Sequence, residues 1–444
     1  MPSRRAFLSG LGAGVAALGL PRAAMANDPG PYNILEIYLS GAIAHRETFW
    51  TLGSEAGSPL DAVNGSTIGS AQRVAMGVSD GAGGDLYLGR GCAPFASRAQ
   101  DLRLVTMAMD TGVHEIGHAY AFTGLRLGRA DATSIGSRIQ HHIGGAGIHS
   151  VILDGVRNQL LTRMATRTGD LGSAARPLVV PMGSVNLFGR LERGEQQHRD
   201  PMTSLYRDRY AARLTHSGEQ VRSAHFDLYS DGFDRMANWT ALQDLLTDGP
   251  GLPLVETAVS RNSYVINPFT ESIRFGARLI AEKGVRHVCT FASGNNLPGS
   301  LDTHDGYEDD PVGHNKHHNA ALWGACNTVE ELIGAGIDLS TTIVVIHTEF
   351  GRYKDSDGSE HSTPGYCALM LGGPVVGGVQ GTLTGTDGGK GGATTIDESS
   401  LDGGVTPKEL ADALSIAAGA DAMSFPDTPV LNDDELAHKV FGLV

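Results

Sequence analysis

A carboxylate set at the end of an apolar run is the first chemical signal in this chain. Residues 342–346, Thr-Ile-Val-Val-Ile, lead into His347, Thr348, Glu349, Phe350, Gly351 and Arg352. A continuous β-branched run reads as a parallel strand buried on both faces. Open α/β sheets do their chemistry just past the carboxyl ends of such strands. Glu349 is therefore expected to reach a site on a rigid element. His361 follows nine residues after Arg352, and Asp302 and His304 lie upstream in residues 301–304. Two carboxylates and two histidines from three loops are the raw material of a divalent metal site. Imidazole with carboxylate suits zinc first, then manganese. Magnesium or calcium becomes the choice if oxygen donors dominate.

A second motif competes for the same chemistry. His114-Glu115-Ile116-Gly117-His118 is a literal H-E-x-x-H. On a helix the two histidines share one face and can hold zinc, with the glutamate as base, as in a metallopeptidase. The third ligand of that pattern has no counterpart here, because Phe122 and Gly124 stand where it would fall. Other histidines, His141, His142, His314, His317 and His318, read mainly as exposed residues at helix ends, with His314 the best placed to add a ligand. Thr111 offers a hydroxyl near the helix start, or simply caps it. Arg352 would either grip an anionic substrate oxygen in a bidentate fork or pin the Glu349 loop through a local carboxylate.

These residues need elements to position them. The pattern predicts strands over residues 33–39, 102–109, 177–181, 285–291 and 342–346. It predicts helices over 114–122, 134–140, 272–283, 319–335 and 407–418. Residues 293–314 read as a polar loop carrying Asp302 and His304. Residues 190–262 read as a helical insert, and 372–404, rich in Gly, Thr and Asp, as surface loops or short edge hairpins. Strand–helix alternation argues for an α/β fold, a three-layer α/β/α arrangement around a largely parallel sheet.

The first 26 residues stand apart. Arg4-Arg5 before an apolar run over residues 8–20, then Ala24-Met25-Ala26, reads as a twin-arginine signal with its cleavage site. The expected product is one domain over residues 27–444, periplasmic or secreted, carried out by the twin-arginine translocase. Without the three arginines of the leader, 31 basic residues face 49 acidic ones, a net charge of −18. That argues against nucleic acid or an anionic membrane as partner, and no other segment looks able to insert in a membrane. Cys92, Cys289, Cys326 and Cys367 form no CxxC pair, so a zinc–thiolate site is not expected. One disulfide is open to them, with no pairing assignable from sequence.

The block over residues 319–361 resembles the alkaline phosphatase–sulfatase superfamily. More closely, Glu349-Phe350-Gly351-Arg352 is similar to the twin-arginine-exported branch known as domain-of-unknown-function family 1501. The resemblance implies an alkaline phosphatase-like fold and metal-assisted hydrolysis of a small or glycan-linked phosphate or sulfate ester. It carries Glu349, Asp302, His304 and His361 over as metal ligands. Phe350 stands where a second ligand is expected and cannot coordinate. Sulfatases end the first strand with two aspartates; Ser40-Gly41 stands there, leaving His45 and Glu47 as substitutes. Counting back ten from Gly124 puts His114 at the nucleophile position, as ligand, nucleophile or base, and His118 four residues on. Cys92 does not fit a formylglycine motif, because Ala96 occupies the required arginine position. The alternatives are a binding protein that keeps the fold without catalysis, and the H-E-x-x-H peptidase.

Overall fold

The structure is a computed structural model. It describes residues 31–43, 48–52, 75–79, 85–107, 111–144, 147–154, 159–180, 208–209, 268–293, 296–297, 300–303, 311–352, 361–362, 366–381, 404–420, 431 and 433–443. Residues 1–30 with the expected leader, residues 44–47 with His45 and Glu47, His304, and nearly all of the expected insert lie outside these residues.

In chain order the strands are β1 (Asn33–Leu39), β2 (Trp50–Leu52), β3 (Ala75–Ser79), β4 (Asp85–Leu88), β5 (Arg103–Met107), β6 (Ser150–Leu153) and β7 (Leu178–Val180). They continue as β8 (His287–Ala292), β9 (Thr342–His347), β10 (Gly351–Arg352), β11 (His361–Ser362), β12 (Tyr366–Leu371) and β13 (Gly378–Gln380). Eight of them form one sheet in the order β13-β5-β12-β9-β1-β8-β6-β7. All the strands expected from the sequence lie in it. The exception to parallel pairing is β12, antiparallel to both β5 and β9.

The period of two along β1 divides the core between the sheet's faces. Leu35, Ile37 and Leu39 join the cluster that includes residues of the helices Pro268–Lys283 and Pro311–Gly334. On the other face, Ile34 and Tyr38 meet apolar residues of His114–Thr123, Ile135–Ile143, Gln159–Ala165 and Pro407–Ala417. Helices therefore cover both faces, giving the three-layer α/β/α fold. Among the described residues no helix is long and apolar enough to cross a membrane.

The predicted helix over 319–335 begins earlier, at Pro311. Its polar first turns hid it, and proline suits a first helical position. The helix His114–Thr123 stops at Gly124, whose φ of 73° is left-handed, as the glycine stop requires.

A polar row crosses the second face. Glu36 accepts hydrogen bonds from His287 Nε2 at 2.9 Å and His347 Nε2 at 2.8 Å, and Ser150 Oγ meets His287 Nδ1 at 2.8 Å. All four residues are buried. Burial works to raise the Glu36 pKa, but the two imidazole donors outweigh it and bring it from 4.5 down to about 2. A carboxyl lowered on folding contributes stability that is complete above its unfolded pKa and lost as pH falls through its folded one. Over the window from 4.5 to 2 the loss is about 3 kcal/mol. Urea unfolding at pH 5 and pH 2.5 is expected to show that fall. A chain with Glu36, His287 and His347 all replaced by leucine should show a smaller one; an equal fall in both would refute the assignment.

Candidate metal centre

The carboxyl ends of β1, β5 and β9 point to one place. β9 delivers Glu349, the connection after β5 brings His114, and the turn after β1 brings Gly41. Glu349 is fully buried, and its four acceptor positions are taken. Oε1 accepts from the Gly41 N–H and from His114 Nδ1, each at 2.8 Å. Oε2 accepts from Thr348 Oγ1 at 2.9 Å and Tyr38 Oη at 3.0 Å. A carboxylate offers about four lone-pair positions. Burial works to raise the Glu349 pKa, but the His114 hydrogen bond and nearby positive charge hold it at about 2.

Two glycines permit this packing. A Cβ at Gly117 would sit 2.9 Å from Glu349 Cβ and Phe350 Cδ1, so only glycine lets the helix lie on this loop. Gly41 has φ +138°, and a Cβ there would strike the Leu301 carbonyl carbon at 2.4 Å and the Asp302 nitrogen at 2.5 Å. Ser40-Gly41 thus contributes backbone where a resemblance to sulfatases would ask for aspartates. Ala42, at φ 58°, shares the strained turn.

His114 spans two carboxylates. Its Nδ1 is on Glu349, and its buried Nε2 makes no hydrogen bond but lies 3.4 Å from Asp302 Oδ1. Burial would lower the His114 pKa, yet Asp302 and Glu349 raise it to about 9. The position therefore draws positive charge strongly. His361 Nδ1 donates to the Gly112 carbonyl at 2.7 Å, which directs Nε2 to within 3.7 Å of the same Asp302 oxygen. Phe350, fully buried, packs on both rings, with centroids 5.0 Å from His114 and 4.6 Å from His361.

Arg352 fixes the third donor. Its Nη2 donates to Asp302 Oδ1 and to the Gly41 carbonyl, both at 2.9 Å, and its Nε to the Ala42 carbonyl at 2.7 Å. Opposite it in the β10–β11 ladder stands His361. His318 Nε2 donates to the Leu301 carbonyl at 2.7 Å, holding the loop from the other side.

His114 Nε2, Asp302 Oδ1 and His361 Nε2 form a group able to share one ion, with donor atoms all within 4.8 Å of one another. Tetrahedral zinc with ligand bonds of about 2.0–2.1 Å would separate its donors by roughly 3.3 Å. The 3.4 and 3.7 Å separations fit that requirement with small adjustments. Asp302 keeps 42% of its side chain exposed, while His114 Nε2 and His361 Nε2 are buried. A second group, His114, His118 and Glu349, is closer to saturation. There the His114 and His118 Nδ1 atoms are already on Glu349 and Tyr38.

Asp302, His361 and His114 meet around one point. Glu349, expected as a direct ligand, stands behind His114 with its oxygens filled, the carboxylate–histidine arrangement that orients a metal-binding imidazole. Arg352, one of whose two expected roles was gripping substrate, is buried and committed to Asp302 and the Gly41–Ala42 backbone. His118, expected as catalytic, is buried with Nδ1 2.6 Å from Tyr38 Oη. Thr111, expected as a hydroxyl candidate, accepts from the Val113 N–H at 3.1 Å in the turn ahead of the helix. Tyr38 was missed by the sequence reading. Its signal was a polar-tipped aromatic near the end of an otherwise apolar strand, where a buried hydroxyl must find partners.

An α/β/α protein with a His–Asp–His group at the carboxyl edge of its sheet is the class these observations define. A family model described as "Protein of unknown function (DUF1501)" matches residues 34–397, and the chain belongs to that family. No curated protein matches it. Among solved structures it is similar to Ps i-CgsB in complex with k-i-k-neocarrahexaose, at 11% identity over 88% of this chain and 73% of that one, TM-score 0.39. A Vibrio parahaemolyticus protein in the alkaline phosphatase superfamily is 10% identical over 91% and 72%, TM-score 0.38. The PsFucS1 sulfatase from Pseudoalteromonas sp. is 10% identical over 89% and 69%, TM-score 0.38. At such distances the chemistry of the site has to be argued from its own residues.

Proposed function

We propose that this chain is an exported, metal-dependent hydrolase of phosphate or sulfate esters, with a small or glycan-linked anionic substrate. The observation that carries the proposal is the convergence of His114 Nε2, Asp302 Oδ1 and His361 Nε2 on one point. His114, Asp302 and His361 would hold the ion, zinc before manganese, magnesium or calcium. When bound it would polarise an ester oxygen and acidify an attacking water. Glu349 keeps the proton on His114 Nδ1, so that Nε2 presents its lone pair. The Gly112 carbonyl does the same for His361. Arg352 fixes one Asp302 oxygen at the site and balances part of its charge. The twin-arginine pattern in residues 1–26 supports export.

Metal analysis of the purified chain, before and after chelation, tests the site. Chromogenic phosphate monoesters, phosphodiesters, sulfate esters and a peptide then test the reaction. About one equivalent of divalent metal and chelator-sensitive ester turnover are expected. Metal without turnover of any ester would favour a binding protein, and failure to take up metal would end the proposal.

Glu115 separates this reading from a peptidase. It is exposed and lies about 100° around the helix from His114. Glu115→Gln is expected to leave metal content and ester turnover unchanged. Loss of a peptidase activity in that variant would reverse the assignment, since a bound water would then have lost its base.

A further inference from the structure

Three of the four buried cysteines, Cys92 in the 3-10 segment Arg90–Arg98, Cys326 and Cys367, belong to one core cluster. Within it Cys326 and Cys92 lie near enough for their thiols to interact. Cys367, on β12, lies near Cys92 and has Trp50 on its sulfur. Cys289 is set apart, its thiol on Glu36.

The frame around Cys92 and Cys326 is fixed at both ends. A Cβ at Gly91 would come within 2.6 Å of Leu322 Cδ2, so the segment lies tight against the helix Pro311–Gly334. Further along, Arg98 Nε donates to Glu330 Oε2 at 2.8 Å. Leu322, Cys326 and Glu330 are spaced by four and share one helix face. Cys92 is thus held opposite Cys326, between a close apolar contact and an ion pair.

We infer that Cys92 and Cys326 close as a disulfide when the chain folds under oxidising conditions, pinning the Arg90–Arg98 segment to the helix Pro311–Gly334. The bond needs the sulfurs about 2.0 Å apart, and the side chains supply the remaining approach. Two thiols give up two protons and two electrons as the S–S bond forms. A disulfide-exchange oxidant, such as oxidised glutathione, takes them up and leaves as two thiols. Burial keeps both thiols poorly reactive in the folded chain, so the bond forms during folding or when the segment opens. A shared thiolate metal site does not compete, because among the described residues no group of three thiols could hold an ion.

The test refolds the full chain from denaturant in a mixture of reduced and oxidised glutathione. Free thiols are alkylated, and intact mass and non-reducing peptide maps follow. Expected are two alkylated thiols where the reduced, denatured chain takes up four, and a single cross-linked pair containing Cys92 and Cys326. The Tm should exceed that of the reduced chain. Cys92→Ser and Cys326→Ser should abolish the cross-link and the Tm gain, while Cys367→Ser keeps both. Natively purified chain, treated with the same mixture just below its Tm, provides a second arm that does not depend on refolding. Four alkylated thiols in both arms, or a bond joining Cys92 to Cys367, would overturn the inference.

Discussion

Asp302→Ala is expected to strip the metal and with it the turnover, by a margin larger than any change behind the site. Asp302 Oδ1 is the atom that faces both His114 Nε2 and His361 Nε2. Its removal takes away the only carboxylate among the three proposed donors and leaves two imidazoles. Loss of an orienting partner costs about 10–100-fold in metal affinity or activity, and loss of a direct donor should exceed it, on the order of 10³-fold. Glu349→Gln, one step behind, should fall in the 10–100-fold range. Chelator competition on the two variants gives the order of effects. Circular dichroism checks that Asp302→Ala folds, as its exposed side chain suggests. If Glu349→Gln loses metal as completely as Asp302→Ala, the ion sits in the His114–His118–Glu349 group. If Asp302→Ala binds metal like the parent, the His–Asp–His assignment is wrong.

Much of the fold is legible in the sequence. Periodic apolar runs bounded by glycine locate β1, β5, β8 and β9, because buried strands leave a dense local signal. Position at a strand end predicts Glu349 on a rigid element, and the residue stands two past the end of β9. What the sequence does not carry is the order of shells. Whether Glu349 touches an ion or a histidine depends on four hydrogen bonds whose donors come from residues 38, 41, 114 and 348. Three of those donors are remote in the chain. The strand β6 escapes for another reason: its four residues, Ser150–Leu153, are too few for a clear period. The antiparallel β12 cannot be told from a parallel strand by its apolar run alone. Arg352 shows the same limit, since its two readings differ only in where Asp302 lies.

The largest effect on stability is expected away from the site, at Glu36. Glu36→Ala would leave the His287 and His347 Nε2–H groups without their acceptor in the middle of the sheet. Both rings are buried, so neither donor can turn to solvent. Breaking one side of a buried charged cluster costs about 3–5 kcal/mol, a large part of the roughly 5–15 kcal/mol that stabilises a typical folded protein. Replacing Glu36, His287 and His347 together with leucine removes the whole demand for hydrogen bonds. Such exchanges are often neutral or stabilising by about 1–4 kcal/mol, although Ser150 Oγ then loses its His287 partner. The Tm of Glu36→Ala should therefore lie well below that of the triple variant, which should approach the parent. The reverse order would mean that packing volume, not hydrogen-bond satisfaction, governs this layer. Metal binding gives the second readout. His347 pairs in register with Tyr38 and stands two residues before Glu349 on the same strand end. If the polar row also sets that strand end, the triple variant will fold yet bind metal more weakly. If it serves the core alone, metal affinity will match the parent.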